Sequence, residues 1–509
     1  MKTFKNLKYL GLIALAISFT ACNDEEDFEQ FLDEPPMEAV TLPALNAGSA
    51  DFSNYIAVGP SFSAGQSDGS VFLASQNNSW PNIISKEFAK VGGGEFKQPT
   101  MDDNYGGLSL GGTRISGPRL VFGGAGPVPL ESIVGPVTVA TDILNPPTGP
   151  FNNYGVPGAN SFHFVAPGYG NITNLSAGLA NPYAVRLTGS TPNASIIELA
   201  VAQNPSFFTL SLFGGNDVLG YSTGGAAVGT ITPLATFEGA LDIALAALTA
   251  NGAEGVVSGT PHVTDLPYFT TVPYNAVPLD AATAALVNGA YAPYNGGLQA
   301  ALVALQGTGL FSAEEVAART ISFAEGQNAV VIEDESLTDL GAINPAFAAL
   351  PKIRQATAND LLVLPSASFI GTLADPNNPT SVNGVGVPLA DKWVVTETEL
   401  AQIITATDAM NASVEAAAQN YGIAYINLQP ILAQAASTGI VFDDYNMDTR
   451  LVFGGLISLD GIHLTARGYA LMANSFLDAI DTTYGSNFRA SGNVAKADDF
   501  GVTYSPLLQ

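Results

Sequence analysis

Four short apolar runs constrain this chain more than any other feature: Tyr55 to Val58 ending at Gly59, Phe207 to Phe213, Gly255 to Gly259, and Ile423 to Leu428. Each is shorter than an ordinary helix and bounded by turn residues, the pattern of a strand buried on both faces. Helical patterns lie between them. Leu234 to Ala250 is apolar at helical spacing, with Glu238 and Asp242 on the other face. Thr396 to Tyr421 opens with Thr396 and Glu399 in capping-box spacing and closes at Gly422. Ala466 to Tyr484 is a third helix, stopped by Gly485. Short buried strands alternating with helices specify an α/β fold whose central sheet is mainly parallel.

Chemistry-bearing residues cluster where those strands should end. Gly59-Pro60-Ser61-Phe62-Ser63-Ala64-Gly65 follows the first strand, so a serine hydroxyl projects at the carboxyl edge of the sheet, where such folds bind ligands. In isolation this string is weak evidence and reads first as a turn with a capping serine. Tyr154 to Asn160 (YGVPGAN) can form a tight turn with an exposed N–H at Gly158. Phe213-Gly214-Gly215-Asn216-Asp217 follows the second strand and brings the Asn216 amide to the same edge. The chain has three histidines, His163, His262 and His463. His463 alone has a carboxylate three residues upstream, Asp460, and a helix-starting Thr465 downstream. Imidazole titrates near neutrality, and a carboxylate can hold it in the tautomer a general base requires. The N–H groups of Ser61 and Gly158 with the Asn216 side chain make a candidate oxyanion hole.

These blocks, in this order, resemble the SGNH (GDSL) superfamily of esterases and lipases. The resemblance implies a three-layer α/β/α, flavodoxin-like fold with a mainly parallel sheet and long insertions. It implies that Ser61 is the nucleophile, that Ser61, Gly158 and Asn216 form the oxyanion hole, and that His463 is the base, oriented by Asp460. The most specific block is Asp460-x-x-His463 followed by Leu464-Thr465-Ala466-Arg467-Gly468-Tyr469, with Gly214-x-Asn216-Asp217 close behind. The first block departs from the family pattern, with Pro60 where Asp is usual and Phe62 where Leu is usual. Proline fixes φ and lacks an N–H, so the turn before Ser61 is expected to differ in shape. Ser63 is the fallback nucleophile. The implied reaction is cleavage of a carboxylic ester through an acyl-enzyme on Ser61, with no metal or organic cofactor. The alternatives are a carbohydrate esterase that deacetylates glycans and a degenerate SGNH domain that acts as a surface-binding lipoprotein.

Length would allow about three domains, but a nucleophile at 61 and a base at 463 imply one enclosing fold, residues 51–509, with insertions near 86–150 and 280–390. The first insertion is rich in Gly and Pro, with no convincing strand just before Gly155. The second holds helix-like pieces and a Pro/Asn/Gly-rich loop, Ala374 to Val387, placed to cover the site.

Residues 1–21 read as a lipoprotein signal peptide. Lys2, Lys5 and Lys8 precede an apolar run, Tyr9 to Phe19, too short to span a bilayer, and Phe19-Thr20-Ala21-Cys22 presents the sole cysteine for acylation. Residues 22–50 read as an acidic tether beginning Asn23-Asp24-Glu25-Glu26-Asp27. The pattern places the chain in the outer membrane or on the surface of a Gram-negative bacterium, held by its N-terminal lipid. Without the three signal lysines, 14 basic residues face 45 acidic ones, a net charge of −31. Such a surface repels nucleic acid and favours neutral or cationic substrates, here a small-molecule, lipid or glycan ester.

Several residues carry plainer expectations. His262 is expected to be held by local hydrogen bonds, and His163 has no partner in sequence. Asp444-x-Asn446-x-Asp448 opens like a calcium loop but lacks the turning Gly and the closing Glu, so it reads as a polar loop. Asp217 is expected to brace its loop. Tyr268, Phe269 and Tyr274 fit either an acyl pocket or core packing. Lys392 and Trp393 are expected at an insertion edge.

Overall fold

A computed structural model describes residues 41–225 and 229–508. The signal peptide and Cys22 lie outside the described residues. Five strands form one parallel sheet: β1 (Tyr55–Gly59), β2 (Asn153–Gly155), β3 (Phe207–Leu210), β4 (Glu254–Ser258) and β5 (Ala424–Ile426), in the spatial order β2-β1-β3-β4-β5. The four apolar runs are therefore strands, each shorter than or shifted by a residue or so from its run. The fifth strand, β2, is the one the sequence hides. It has three residues and pairs through Ala57 with Asn153 and Gly59 with Gly155. An Asn-Tyr-Gly segment at the sheet edge has neither the length nor the β-branched content that marks a strand.

Side chains alternate across this sheet as strand geometry requires. Ile56, Val58, Phe208, Leu210 and Val257 point to one face, while Tyr55, Ala57, Phe207, Val256 and Ala424 point to the other. The helices that matter to the site are α1 (Ser61–Ala64), α2 (Trp80–Ala89), α3 (Gly215–Gly224), α4 (Leu234–Thr249), α5 (Glu397–Tyr421) and α6 (Ala466–Tyr484). Helices α4 and α5 cover the first face through Phe237, Leu241, Leu245, Ile403, Met410 and Val414. Helices α2 and α6 cover the second, where Trp80 stacks on Phe476 at 4.2 Å. Burial of one such large apolar side chain is worth roughly 1.5–3 kcal/mol, so both layers are held by the sheet they cover.

Helix ends follow the local code. Thr396 and Glu399 close a reciprocal capping box at the start of α5, and Gly422 ends it in the left-handed conformation. Thr465 caps α6 by accepting from the Gly468 N–H, and Gly485 ends it. The last residues of the stretch 22–50 read as a tether pack on the fold. Asn46 N–H donates to Asn487, Ser49 N–H donates to the Tyr484 carbonyl at the end of α6, and Ala50 is buried.

Beyond α2, residues up to 150 form two small antiparallel pairs, Leu108–Leu110 with Thr113–Ser116 and Leu120–Phe122 with Pro127–Pro129. The 280–390 region has its own core around Val330, Val331, Ile332 and Leu389. Buried Arg354 joins Asp334 and Asp360 there at 2.6 Å each. Trp393 stacks on Phe369 at 4.5 Å with Lys392 over its ring, the packing expected of an insertion edge. Among the described residues no helix is long and apolar enough to cross a membrane.

Candidate active site

The strand order reverses between β1 and β3, which lead away from each other to opposite edges of the sheet. In open parallel sheets the crevice outside the carboxyl ends at such a point is where ligands bind. Ser61 follows β1 directly and Asn216 follows β3, so the switch point carries both.

Pro60 adopts φ −76° and accepts at its carbonyl the N–H groups of Ser63 and Ala64, opening α1. Its fixed φ is thus accommodated at the entry of a helical turn, where its missing N–H leaves no gap in the hydrogen bonding. The turn presses against β2. A Cβ on Gly155 would collide with the backbone of Ala64, so this close approach requires glycine. Ser61 Oγ lies 2.8 Å from His463 Nε2, and His463 Nδ1 lies 2.7 Å from Asp460 Oδ2. Ser61 and His463 are both buried, at 5% and 6% exposure. An ionised carboxylate can only accept, so Nδ1 carries the imidazole proton and Nε2 is left to accept from the serine hydroxyl.

Asp460 is more firmly held than its spacing to His463 suggests. Its Oδ1 accepts the Ile462 and His463 N–H groups, each at 2.9 Å, and the Ser458 hydroxyl at 3.1 Å. Its Oδ2 also accepts the Gly69 N–H at 2.8 Å. Burial alone would raise this carboxyl's pKa. The charge and hydrogen bond of His463, with the two neighbouring N–H groups, outweigh burial and hold it well below the usual carboxylate range. Gly461 makes the turn possible: its φ is +77° and its carbonyl accepts the Tyr268 N–H.

Three residues that support Asp460 escaped the sequence reading: Asp68, Gly69 and Ser458. Asp68 takes φ +52° and accepts the Leu459 N–H at 3.0 Å, while its own N–H donates to Ser458. The next residue, Gly69, delivers its N–H to Asp460. The Asp68-Gly69 pair signals a turn in sequence but not what the turn touches. Burial is the main cause that raises the Asp68 carboxyl to about 7, opposed by the Leu459 N–H and reinforced by the like charge of Asp460. Phe62, which stands where the family pattern has Leu, places its ring 5.0 Å from that of His463.

Asn216 lines the same cavity as Ser61, and its side-chain amide donates to the Ala159 carbonyl at 2.9 Å. One of its two N–H donors is thereby committed to orienting the amide. Gly158 sits in the left-handed conformation, φ +76°, as the exposed residue of an otherwise buried turn after β2. Asp217 lies in the first turn of α3 rather than in a loop, and it braces that turn: it accepts the Ser161 N–H at 2.8 Å and hydroxyl at 2.7 Å, tying the start of α3 to the segment that follows Gly158. Ser63 turns away from His463 and bonds Ser211 at 2.7 Å, fully buried, so the fallback nucleophile is outside the crevice.

No protein-family model, no curated protein and no solved structure matches this chain.

The remaining singled-out residues take plain roles. His262 bonds Asp408 at 2.8 Å and Gln429 at 2.9 Å. His163 accepts the Asn160 N–H at Nδ1 and stacks on Tyr169 at 4.3 Å, and burial lowers it to about 4, so it is neutral. Asp448 pairs with Arg450 at 2.8 Å, closing the polar loop. Phe269 belongs to the core over the first sheet face and Tyr274 packs on the 280–390 core. Neither these two nor Tyr268 lines the cavity beside Ser61, and no residue of 280–390 does.

Proposed function

We propose that this chain is a serine hydrolase that cleaves carboxylic esters through an acyl-enzyme on Ser61. The observation that carries the reading is the unbroken hydrogen-bonded series Asp460–His463–Ser61 at the mouth of a cavity. The strand order, with helices on both sheet faces, supports the three-layer α/β/α SGNH assignment.

In this mechanism His463 Nε2 takes the Ser61 proton as Oγ attacks the ester carbonyl carbon. The oxyanion meets the Ser61 and Gly158 N–H groups and the uncommitted N–H of Asn216. Collapse breaks the ester C–O bond, and the leaving alkoxide takes the proton from His463. Water then loses a proton to Nε2 and attacks the acyl carbon. Ser61 leaves, regaining its proton, and the carboxylic acid departs. Asp460 keeps Nδ1 protonated throughout and stabilises the imidazolium that forms twice per cycle.

The same chain carries the features of an exported protein anchored by lipid at Cys22, in the outer membrane or at the cell surface of a Gram-negative bacterium. Radiolabelled palmitate incorporated by the wild type and not by Cys22→Ala is the expected result.

Covalent labelling by a fluorophosphonate probe, followed by mapping of the labelled peptide, tests nucleophile, base and oxyanion hole together. Label on the peptide bearing Ser61 is expected. Label on another serine, or undiminished p-nitrophenyl acetate turnover by Ser61→Ala, overturns the reading.

A further inference from the structure

The cavity beside Ser61 has about 110 Å³ of room and is walled by aliphatic side chains from five separate segments. Leu219 comes from α3, Leu266 from the segment after β4, Ile431 from the helix Gln429–Ser437, and Leu456 from the loop before the Asp460 block. Leu471 and Met472 come from α6. Among the described residues no charged side chain lines it, and the polar side chains that do are Ser61, Asn216, Thr260 and Ser475. Ser61 and Asn216 lie at the reacting end. The α6 wall runs from Gly468 to Ser475, about 10 Å at 1.5 Å rise per residue.

We infer that this cavity is an acyl-chain site and that the enzyme's substrates are esters of medium-chain fatty acids, optimal near eight to ten carbons. The inference rests on Ser61 being the nucleophile. An aliphatic wall continuous with the nucleophile fits the chain attached to the attacked carbonyl. A sugar would find almost no hydrogen-bond partners there, and an acetyl group would fill only the mouth. The size follows from two measures. Roughly 10 Å accommodates about eight carbons, since an extended chain advances somewhat less than one ~1.5 Å C–C bond per carbon. By volume, a water needs about 10–15 Å³ of such room, so the cavity holds roughly eight waters or a similar number of methylenes. Leu471 and Ser475 are only half-buried, so the outer end is open and longer chains emerge into solvent. Methylenes beyond the cavity add no burial.

The test is kcat/KM across p-nitrophenyl esters from acetate to palmitate with the full-length protein. A rise of about fourfold per methylene up to about eight carbons, then a plateau or fall, is expected. Leu471→Trp, which fills the cavity from its half-buried side, should lower the octanoate-to-acetate ratio at least tenfold. Ser475→Trp at the outer end should do the same for decanoate if the first variant misfolds. Acetate turned over as well as octanoate, or a profile unmoved by properly folded plug variants, overturns the acyl-site inference while leaving Ser61 chemistry intact. Failure of every ester together with failure of fluorophosphonate labelling sinks the hydrolase reading instead. Calorimetry of decanoate with Ser61→Ala then decides the cavity by itself: binding abolished by Leu471→Trp supports a fatty-acyl site, and no binding refutes it.

Discussion

His463 Nε2 stands 2.8 Å from the Ser61 hydroxyl across 402 residues of sequence. Loop-closure entropy grows only with the logarithm of length, so such a separation is tolerated when other packing holds the ends. Here β1 fixes Ser61 from one side, and α6, packed over the sheet, fixes the His463 loop from the other. The pair itself needs to contribute only its hydrogen bond.

Removing either member should abolish turnover. For Ser61→Ala and His463→Ala we expect kcat for p-nitrophenyl esters to fall by at least ~10⁴. Asp460→Asn should lose about 10⁴ as well, because an amide no longer enforces the Nδ1–H tautomer. Steady-state kinetics on folded variants checks all three, and circular dichroism should show no change for Ser61→Ala.

Asn216→Ala should lower kcat by about 10²–10³ with little change in KM, because in the proposed mechanism the lost donor acts on the developing oxyanion rather than on bound ester. An equal loss expressed wholly in KM would count against the oxyanion role.

Asp217→Ala should cost about 1–3 kcal/mol of stability, since it leaves the buried Ser161 N–H and hydroxyl without their acceptor. Its effect on rate should exceed that of Asp217→Asn, which retains one carbonyl oxygen as an acceptor. Denaturant midpoints and kcat together separate the two effects.

Asp68 should make the protein less stable as pH rises. Its folded pKa of about 7 lies above the unfolded value, so the native state binds the extra proton between about pH 4 and 7. The stabilisation is fully present below the unfolded pKa and is lost as pH passes through the folded one. Asp68→Asn should raise Tm at pH 8 relative to wild type and leave the two alike near pH 4. Scanning calorimetry at both pH values decides it.

Asp360→Ala should loosen the 280–390 region, because it strips one carboxylate from buried Arg354. Removal of one partner of such a pair typically costs about 3–5 kcal/mol. Faster limited proteolysis within 280–390 is the expected readout, with the Ser61 region protected as in wild type.

Much of the frame was legible because its signals are local. The α5 capping box, Gly422 and Gly485 as left-handed stops, and the runs that became β1, β3, β4 and β5 need only near neighbours to be decoded. The Asp460-x-x-His463 spacing likewise implied a bonded pair, since a tight turn leaves little other geometry. Strand β2 was not legible: three edge residues carry no periodicity. The aromatic residues at 268, 269 and 274 were equally ambiguous, because an apolar ring reads alike in a core and in a pocket.

Sequence by itself determined the α/β alternation, the carboxyl-edge serine, the His463–Asp460 pair and Asp217 as a brace. The tertiary structure alone decided that Ser61 meets His463, that Gly69, Ser458 and Asp68 support Asp460, and that aliphatic side chains from five segments enclose a cavity beside the serine. The physical reason is range. Turns, caps and periodicities are set by interactions within a few residues, whereas a buried carboxylate's partners and a cavity's walls are chosen by packing among segments hundreds of residues apart.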